Sequence, residues 1–394
     1  MSVYVSGSET ATSLPEVDHD VMFAPLTEPD VRIPRSAGEI TTGWLNTVLA
    51  AHLREYRVLG SQAKPFSEPG QTADVVEITL IYDSAKCDLP TRMIAKLAAS
   101  DPTTREMCRL FRHYENETGF YRTFDAGGLP IARCFHTGFD PESYDAVILL
   151  EHLAPSICPS YSITLDQVRL AITEVAKLHA RWWNDHFVKR QPCLIQLDDR
   201  VHWSNVAQGA VAAIDRIEKL VGDNCSASVE VMRVYANRLE NISSYMRQRP
   251  FTLMHSDFHP KQMFFPNGAG KGKFAVIDFQ FSVAGPGAFD VSRLLNLGLD
   301  TNVRRSHERG ILDGYCEELR RLGVKDYDHT ELLIDLKFGA FFSQLINFIA
   351  LDQTDHALIE QECAEHEVDW REVWLMRGEA MIRDLDVIRL LRSV

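Results

Sequence analysis

The sequence predicts a mixed α+β protein in two lobes: a small N-terminal lobe with an antiparallel sheet and a helix, and a larger, mainly helical C-terminal lobe. Three observations predict it. Short runs rich in β-branched residues are confined to residues 55–150, and after Pro155 and Pro159 apolar residues recur at helical spacing almost to the last residue. One β interruption, Phe251 to Phe281, stands inside the helical part. At 394 residues, with 45% hydrophobic and 24% charged residues, the chain is long enough for two or three compact units with ordinary cores. The expected organisation is an N-terminal extension over 1–35, a first lobe over 36–153 and a second over 154–394.

The elements follow in order. Residues 1–35 are rich in Ser, Thr, Asp, Glu and Pro without sustained periodicity. Ser36 with Glu39 makes a capping-box pattern ahead of a first helix, on which Ile40, Leu45, Val48, Leu49 and Leu53 share a face. Val75 to Asp83 and Arg92 to Leu97 read as a hairpin. Thr103 with Glu106 makes a second capping box opening one long helix, closed by Gly127 and Gly128. Leu129–Phe139 and Tyr144–Leu153 supply two more strands. Helices are then expected from Leu165 to about Lys189, Val201 to Val221, Ala227 to Arg247, Val303 to Leu322, Thr330 to Leu351 and Trp370 to Leu391.

Charge and composition exclude several functions. Lys plus Arg number 41 against 55 Asp plus Glu, a net charge of −14 and the wrong sign for a broad grip on nucleic acid. Eight scattered cysteines form no CxxC pair and read as buried thiols in a reducing compartment. The first twenty residues lack the basic start and apolar core of a signal peptide, so a cytoplasmic location is expected. Phe338 to Leu351 is the most apolar stretch; it is shorter than a membrane span needs and carries Ser343, Gln344 and Asn347, so it reads as a buried helix.

Within the β interruption, MFF and FAVIDF are strand-like runs joined by a turn at Asn267 and Gly268. Asp257 then lies in the loop before one strand and Asp278 at the end of the next, so two carboxylates converge on one loop edge. Phosphoryl transfer uses such a pair, one to accept the proton of the attacking hydroxyl and one to hold magnesium. GAGKGK, Gly268 to Lys273, lacks the Ser or Thr after GK and joins two strands, so it reads as a solvated hairpin. Lys96 stands in an apolar strand, and Leu110, Tyr114, Glu117 and Tyr121 share one helical face, so Glu117 is expected to be buried and to need a cationic partner. His179 lies on an apolar stripe and reads as a satisfied core histidine.

HSDFHPKQMFF resembles the catalytic loop H-G-D-x-H-x-x-N of the aminoglycoside phosphotransferase and choline kinase superfamily, and VIDFQF resembles its metal-binding strand end. GPGAFDVSRLL, LAITEVAKLHARWW, TGWLN and YCEELRRLG resemble its ecdysteroid-kinase-like branch, over about residues 38–350. The resemblance implies a bilobal protein-kinase-like fold and transfer of the γ-phosphoryl group of ATP to a hydroxyl of a small molecule. It implies Asp257 as the catalytic carboxylate, Asp278 and Gln262 as magnesium ligands, and Lys96 tethered by Glu117 on the nucleotide phosphates, with Glu115 and Glu106 as alternatives to Glu117. Backbone around Gly70, Gln71 and Thr72 would cover phosphate, an ordinary hairpin turn being the alternative, and backbone of Glu151, His152 and Leu153 would meet the adenine edge. Asp290 and His255 would brace the catalytic loop, and Arg293 would begin a core helix. Ser256 stands where the family usually has Gly and asks for a backbone open to a Cβ. Gln262 stands where Asn is usual, although maltokinase-like members also carry Gln. The alternative reading is a catalytically silent nucleotide or small-molecule binder. Phe338, Phe341, Phe342, Phe348, Trp370 and Trp374 wall an acceptor pocket or are plain core.

Overall fold

The structure, a computed structural model, describes residues 31–66, 72–197, 199–353 and 356–394. Contacts divide the chain after Arg32, and the elements below all lie within residues 33–394. Helices α1 (Thr42–Val48) and α2 (Ala50–Leu53) precede strands β1 (Val58–Pro65), β2 (Ala73–Tyr82) and β3 (Arg92–Ala98). Helices α3 (Pro102–Leu110) and α4 (His113–Thr123) follow, and β4 (Cys134–Asp140) and β5 (Asp145–Glu151) complete a five-stranded antiparallel sheet in the order β1-β2-β3-β5-β4. In β3, Met93, Ala95 and Leu97 are buried on one face, which by the two-residue period puts Ile94 and Lys96 together on the other.

Both capping boxes expected here are displaced. Ser36 makes no side-chain cap; Thr41 accepts the Trp44 N–H at 3.1 Å and opens α1. Asp101, not Thr103, accepts the Thr104 N–H at 2.7 Å, with Pro102 in the first turn, where its missing N–H costs nothing. The single long helix is two, because Arg112 takes a left-handed conformation (φ 60°) between α3 and α4. That break removes Leu110 from the face of Glu117 and leaves it 55% exposed.

The rest is mainly helical: α5 (Leu165–Arg181), α6 (His186–Lys189), α7 (Arg200–Ala212), α8 (Ile214–Val221) and α9 (Ser226–Met246), with a two-residue strand β6 (Ile195–Gln196) among them. Then come β7 (Thr252–Met254), β8 (Met263–Phe264), β9 (Ala275–Val276) and β10 (Val283–Gly285), paired as β6-β10-β7 and as the antiparallel hairpin β8-β9. Helices α10 (Ala288–Gly298), α11 (Thr301–Arg321), α12 (His329–Gln353), α13 (His356–Glu365), α14 (Arg377–Asp384) and α15 (Val387–Ser393) close the chain.

Every residue of α10 is buried, so it has no polar stripe for periodicity to reveal. Arg293 sits in its middle and does not begin it. Helix α10 packs closely on α12, since a Cβ at Gly339 would come within 2.7 Å of Ser292 Cβ. Helix α12 runs 25 residues, longer than the apolar stretch suggests, and is long and apolar enough to cross a membrane by length and composition; most of it is buried in the fold. The expected helix Trp370–Leu391 breaks into a π turn (Glu372–Met376), α14 and α15. Phe338, Phe341, Phe342, Phe348, Trp370 and Trp374 are all buried, and Phe341 and Phe342 pack against Tyr235 and Phe289, so these aromatics are core. All eight cysteines are free, but only Cys108, Cys225, Cys316 and Cys363 are buried; Cys158 is exposed.

Candidate active site

Strand β3, helix α4 and the end of β9 bring three charges together. The Lys96 ammonium donates to both Glu117 carboxylate oxygens, at 2.8 and 2.7 Å, and to Asp278 Oδ1 at 2.7 Å. Burial alone would lower the Lys96 pKa, but Asp278 and then Glu117 outweigh it and raise it. Burial pushes the Glu117 carboxyl up, against the pull of Lys96 and with the nearby Asp278 charge adding to the rise. Both directions describe one ammonium divided between two carboxylates. Glu115 pairs with Arg112 and Glu106 with Arg109, so Glu117 alone of the three reaches Lys96. Asp278 holds a left-handed backbone conformation, φ 69°, which an L-residue adopts at a cost.

The second carboxylate lies on the loop between β7 and β8. Asp257 Oδ1 accepts from Arg293 Nε at 3.1 Å and Nη2 at 3.0 Å, and Oδ2 faces His259 Nε2 and the Gln262 amide nitrogen, each at 3.3 Å. Burial would raise its pKa, but His259 and then Arg293 prevail and hold it well below the usual carboxylate range. The loop is braced from α10: Asp290 accepts the His255 N–H at 2.8 Å, the Ser256 N–H at 2.7 Å and His179 Nε2 at 3.0 Å. His179 Nδ1 in turn lies 2.8 Å from the Tyr315 hydroxyl, which satisfies this core histidine completely. Gly287 makes room for the pair, since a Cβ there would sit 2.7 Å from both His179 Nδ1 and the Tyr315 oxygen. His255 accepts the Asp257 N–H at Nδ1 (3.2 Å) and bonds the Ile277 carbonyl from Nε2 (2.8 Å), tying the Asp257 loop to the strand that ends at Asp278. Ser256 has φ 67°, so the backbone here is the one glycine favours; its hydroxyl is buried without a partner.

The other predicted positions divide. Gly70 and Gln71 lie outside the described residues. Thr72 donates its hydroxyl to Gln280 Oε1 at 2.8 Å, and Gln280 Nε2 lies 3.5 Å from Asp278 Oδ2, so the start of β2 is linked to the turn that carries Asp278. Among the linker groups, the Glu151 N–H bonds Arg133 O and the Leu153 carbonyl accepts from Ser156 N–H, while the His152 ring turns to Arg92 and Glu77. The Gly268–Lys273 segment is a hairpin tip held by the Asn267 side chain, which accepts from Ala269 and Lys271 N–H at 3.0 Å each. Sequence reasoning missed the Arg293–Asp257 pair and an apolar cluster of Leu150, Leu153, Phe264 and Ile277, in which Phe264 and Ile277 are only partly buried. No local sequence signal points to the first, since Arg293 and Asp257 stand 36 residues apart.

Asp278 and Gln262 carry a carboxylate and an amide oxygen, both hard donors. Magnesium is commonly held by so few protein oxygens with phosphates and water completing the shell, so the donor set fits that ion. No cage of three or more His, Cys, Asp or Glu residues occurs among the described residues.

A model of the ecdysteroid kinase-like family matches residues 72–325, well over half of the chain. The chain belongs to that family. The match begins at the residue bonded to Gln280 and takes in Lys96, Glu117, Asp257, Gln262 and Asp278. An uncharacterized kinase-like protein of Caenorhabditis elegans is 26% identical over 251 residues, 57% of this chain and 62% of that relative, so the chain spans less than two thirds of its length. Among solved structures, a candidate aminoglycoside phosphotransferase from Ralstonia eutropha is similar at TM-score 0.52 and 13% identity, over 92% of this chain and 99% of the other. An ethanolamine kinase of Plasmodium vivax matches at TM-score 0.46 and 13% identity, over 82% and 85%. Family membership and fold together make this a kinase-like protein.

Proposed function

We propose that this protein transfers the γ-phosphoryl group of ATP to a hydroxyl of a small-molecule metabolite, using magnesium. The observation that carries the reading is the convergence of Lys96, shared between Glu117 and Asp278, with Asp257 on the adjoining loop. Residues 36–153 hold the nucleotide: Lys96 contacts its phosphates, and linker residues Glu151, His152 and Leu153 border the base. The partly buried Phe264 and Ile277 give that base an apolar floor. Residues 154–394 hold the acceptor. Asp257 Oδ2 orients the acceptor hydroxyl; as its oxygen bonds to the γ-phosphorus, the bond from that phosphorus to the β–γ bridging oxygen breaks, ADP leaves, and the hydroxyl proton passes to Asp257. Asp278 and Gln262 would hold magnesium, which supplies charge neutralisation at the phosphates. Free thiols support a reducing, cytoplasmic location.

The test is ATP turnover with magnesium against amino alcohols, aminoglycosides, nucleosides and steroids, alongside thermal shift with ATP and magnesium. A second reading, a silent binder, is favoured by one observation: the Gln262 amide nitrogen donates to the carboxylate that should accept the hydroxyl proton. Binding without turnover of any acceptor supports the silent binder. For the enzyme, Gln262→Ala raises the magnesium concentration for half-maximal turnover by about tenfold, and Gln262→Asn falls between. Unchanged magnesium dependence in the Ala variant removes Gln262 from the ligand set.

A further inference from the structure

Helix α12 reaches the catalytic loop through one buried side chain. Arg293 is 3% exposed and divides its donors: Nε and Nη2 go to Asp257 Oδ1, and Nη1 goes to the Ser343 carbonyl at 2.9 Å, the Ser343 hydroxyl at 3.2 Å and Asn347 Oδ1 at 2.6 Å. The α12 partners are themselves fixed. Ser343 Oγ accepts from Asn296 at 2.7 Å, and Asn347 Nδ2 donates to the Trp374 carbonyl at 2.9 Å. Trp374 lies in the π turn Glu372–Met376, whose wider winding releases carbonyls from their usual partners; Gln344 takes the next one, Leu375 O, at 3.2 Å. Gly378 is required for that approach, since a Cβ there would lie 1.8 Å from Gln344 Oε1.

A planar guanidinium held on its far edge by three acceptors cannot swing, so the oxygen it grips cannot swing either. The grip is one-sided. Oδ1 takes two charged donors at 3.0–3.1 Å, whereas Oδ2 meets His259 and Gln262 only at 3.3 Å and is the oxygen left to take a new hydrogen bond. We propose that Arg293, anchored by Asn347 and Ser343, is a positioning residue that fixes the rotation of the Asp257 carboxylate so that Oδ2 faces the acceptor hydroxyl.

This rests on the phosphotransferase reading, and the experiment separates the two. Arg293→Ala, Arg293→Lys and Asn347→Ala are compared with wild type for kcat and KM of both substrates, with ATP binding by calorimetry as a fold check. Misplacing a reacting group by about an ångström costs on the order of 100-fold, so Arg293→Ala lowers kcat by about that factor while the KM for ATP stays within about threefold. Arg293→Lys recovers part of the loss, and millimolar guanidinium added to the Ala variant recovers more, which a merely structural residue would not allow. If the Ala variant does not fold, Asn347→Ala, which removes the shortest of the three Nη1 contacts, leaves the two to Ser343 and keeps the ion pair in place, lowers kcat severalfold at constant KM. Unchanged kcat in a folded Arg293 variant, or in Asn347→Ala, overturns the proposal. Wild-type protein that binds ATP but phosphorylates nothing overturns the phosphotransferase reading first, and the positioning role falls with it.

Discussion

The two carboxylates of the site are held in opposite ways. Around Lys96 one cation serves two carboxylates, Glu117 and Asp278, and the local charge is left negative. On the loop between β7 and β8 one carboxylate, Asp257, is served by Arg293, His259 and Gln262 and is left over-supplied with donors. The first arrangement leaves a negative charge that a further cation would balance. The second has none, and it keeps Asp257 ionised and oriented at the expense of its basicity. That division suits a reaction in which positioning and charge neutralisation matter more than a strong base.

The largest expected effect breaks the second arrangement. Asp257→Asn keeps the shape and loses the proton acceptor, so turnover falls by about 10³-fold with ATP affinity retained. It also leaves Arg293 buried without an anion, so the variant melts below wild type in a thermal scan. Retained turnover would move the proton-accepting role elsewhere.

His113 differs from the two histidines that brace the Asp257 loop as sharply as the carboxylates differ. His255 and His179 have both ring nitrogens bonded, whereas His113, at the start of the helix that carries Glu117, has neither bonded and packs against Phe281 with ring centroids 4.7 Å apart. Burial lowers the His113 pKa to about 4, although Asp278 pulls upward. The folded value lies below the unfolded one, about 6.5, so the neutral ring is favoured by folding. Its contribution is fully present above pH 6.5 and is lost as pH falls toward 4, amounting to about 3 kcal/mol. His113→Phe keeps the aromatic contact and removes the titration, so urea unfolding between pH 7 and 4.5 should show a flatter acid limb. An unaltered slope assigns the acid sensitivity to other groups.

Next in size is the Lys96 cluster itself. Lys96→Met and Glu117→Gln each lower kcat/KM for ATP by about 10- to 100-fold, and the double variant loses less than the product because both act through one pair, with a coupling of about 1–2 kcal/mol. Multiplicative losses would show that Glu117 acts on the nucleotide without Lys96.

How much of this was readable from sequence depends on how local each signal is. The positions of Asp257 and Asp278 around a short hairpin, and the burial of Glu117, follow from strand and helix periods a few residues long, and the structure has both. The expected cap residues failed because several Ser, Thr and Asp residues compete near each helix start, and only backbone geometry decides among Ser36 and Thr41 or Asp101 and Thr103. Helix α10 was expected only from the resemblance, and with Arg293 at its start, because a helix buried on all sides has no stripe for periodicity to reveal. The pairing of Arg293 escaped, since its partners Asp257, Ser343 and Asn347 lie 36 to 54 residues away and no local pattern joins them.

The smallest effect asks whether strain is needed on both sides. Ser256 and Asp278 each hold a left-handed backbone, at φ 67° and 69°, two turns that His255 links through its bond to Ile277 O. At Asp278 the side chain accepts from Lys96, and a glycine there would relieve the backbone and delete the carboxylate. At Ser256 nothing comparable is at stake: the hydroxyl is buried without a partner, and the residue's N–H, which any amino acid but proline supplies, makes the bond to Asp290. A left-handed L-residue costs roughly 1–2 kcal/mol, and glycine returns part of that in the added freedom of its unfolded chain. Ser256→Gly should therefore raise stability by about 1 kcal/mol in urea unfolding and leave kcat and both KM values within about twofold. A loss of turnover without a loss of stability would mean that the serine hydroxyl takes part in acceptor binding, and the contrast between a functional strain at Asp278 and an incidental one at Ser256 would fail.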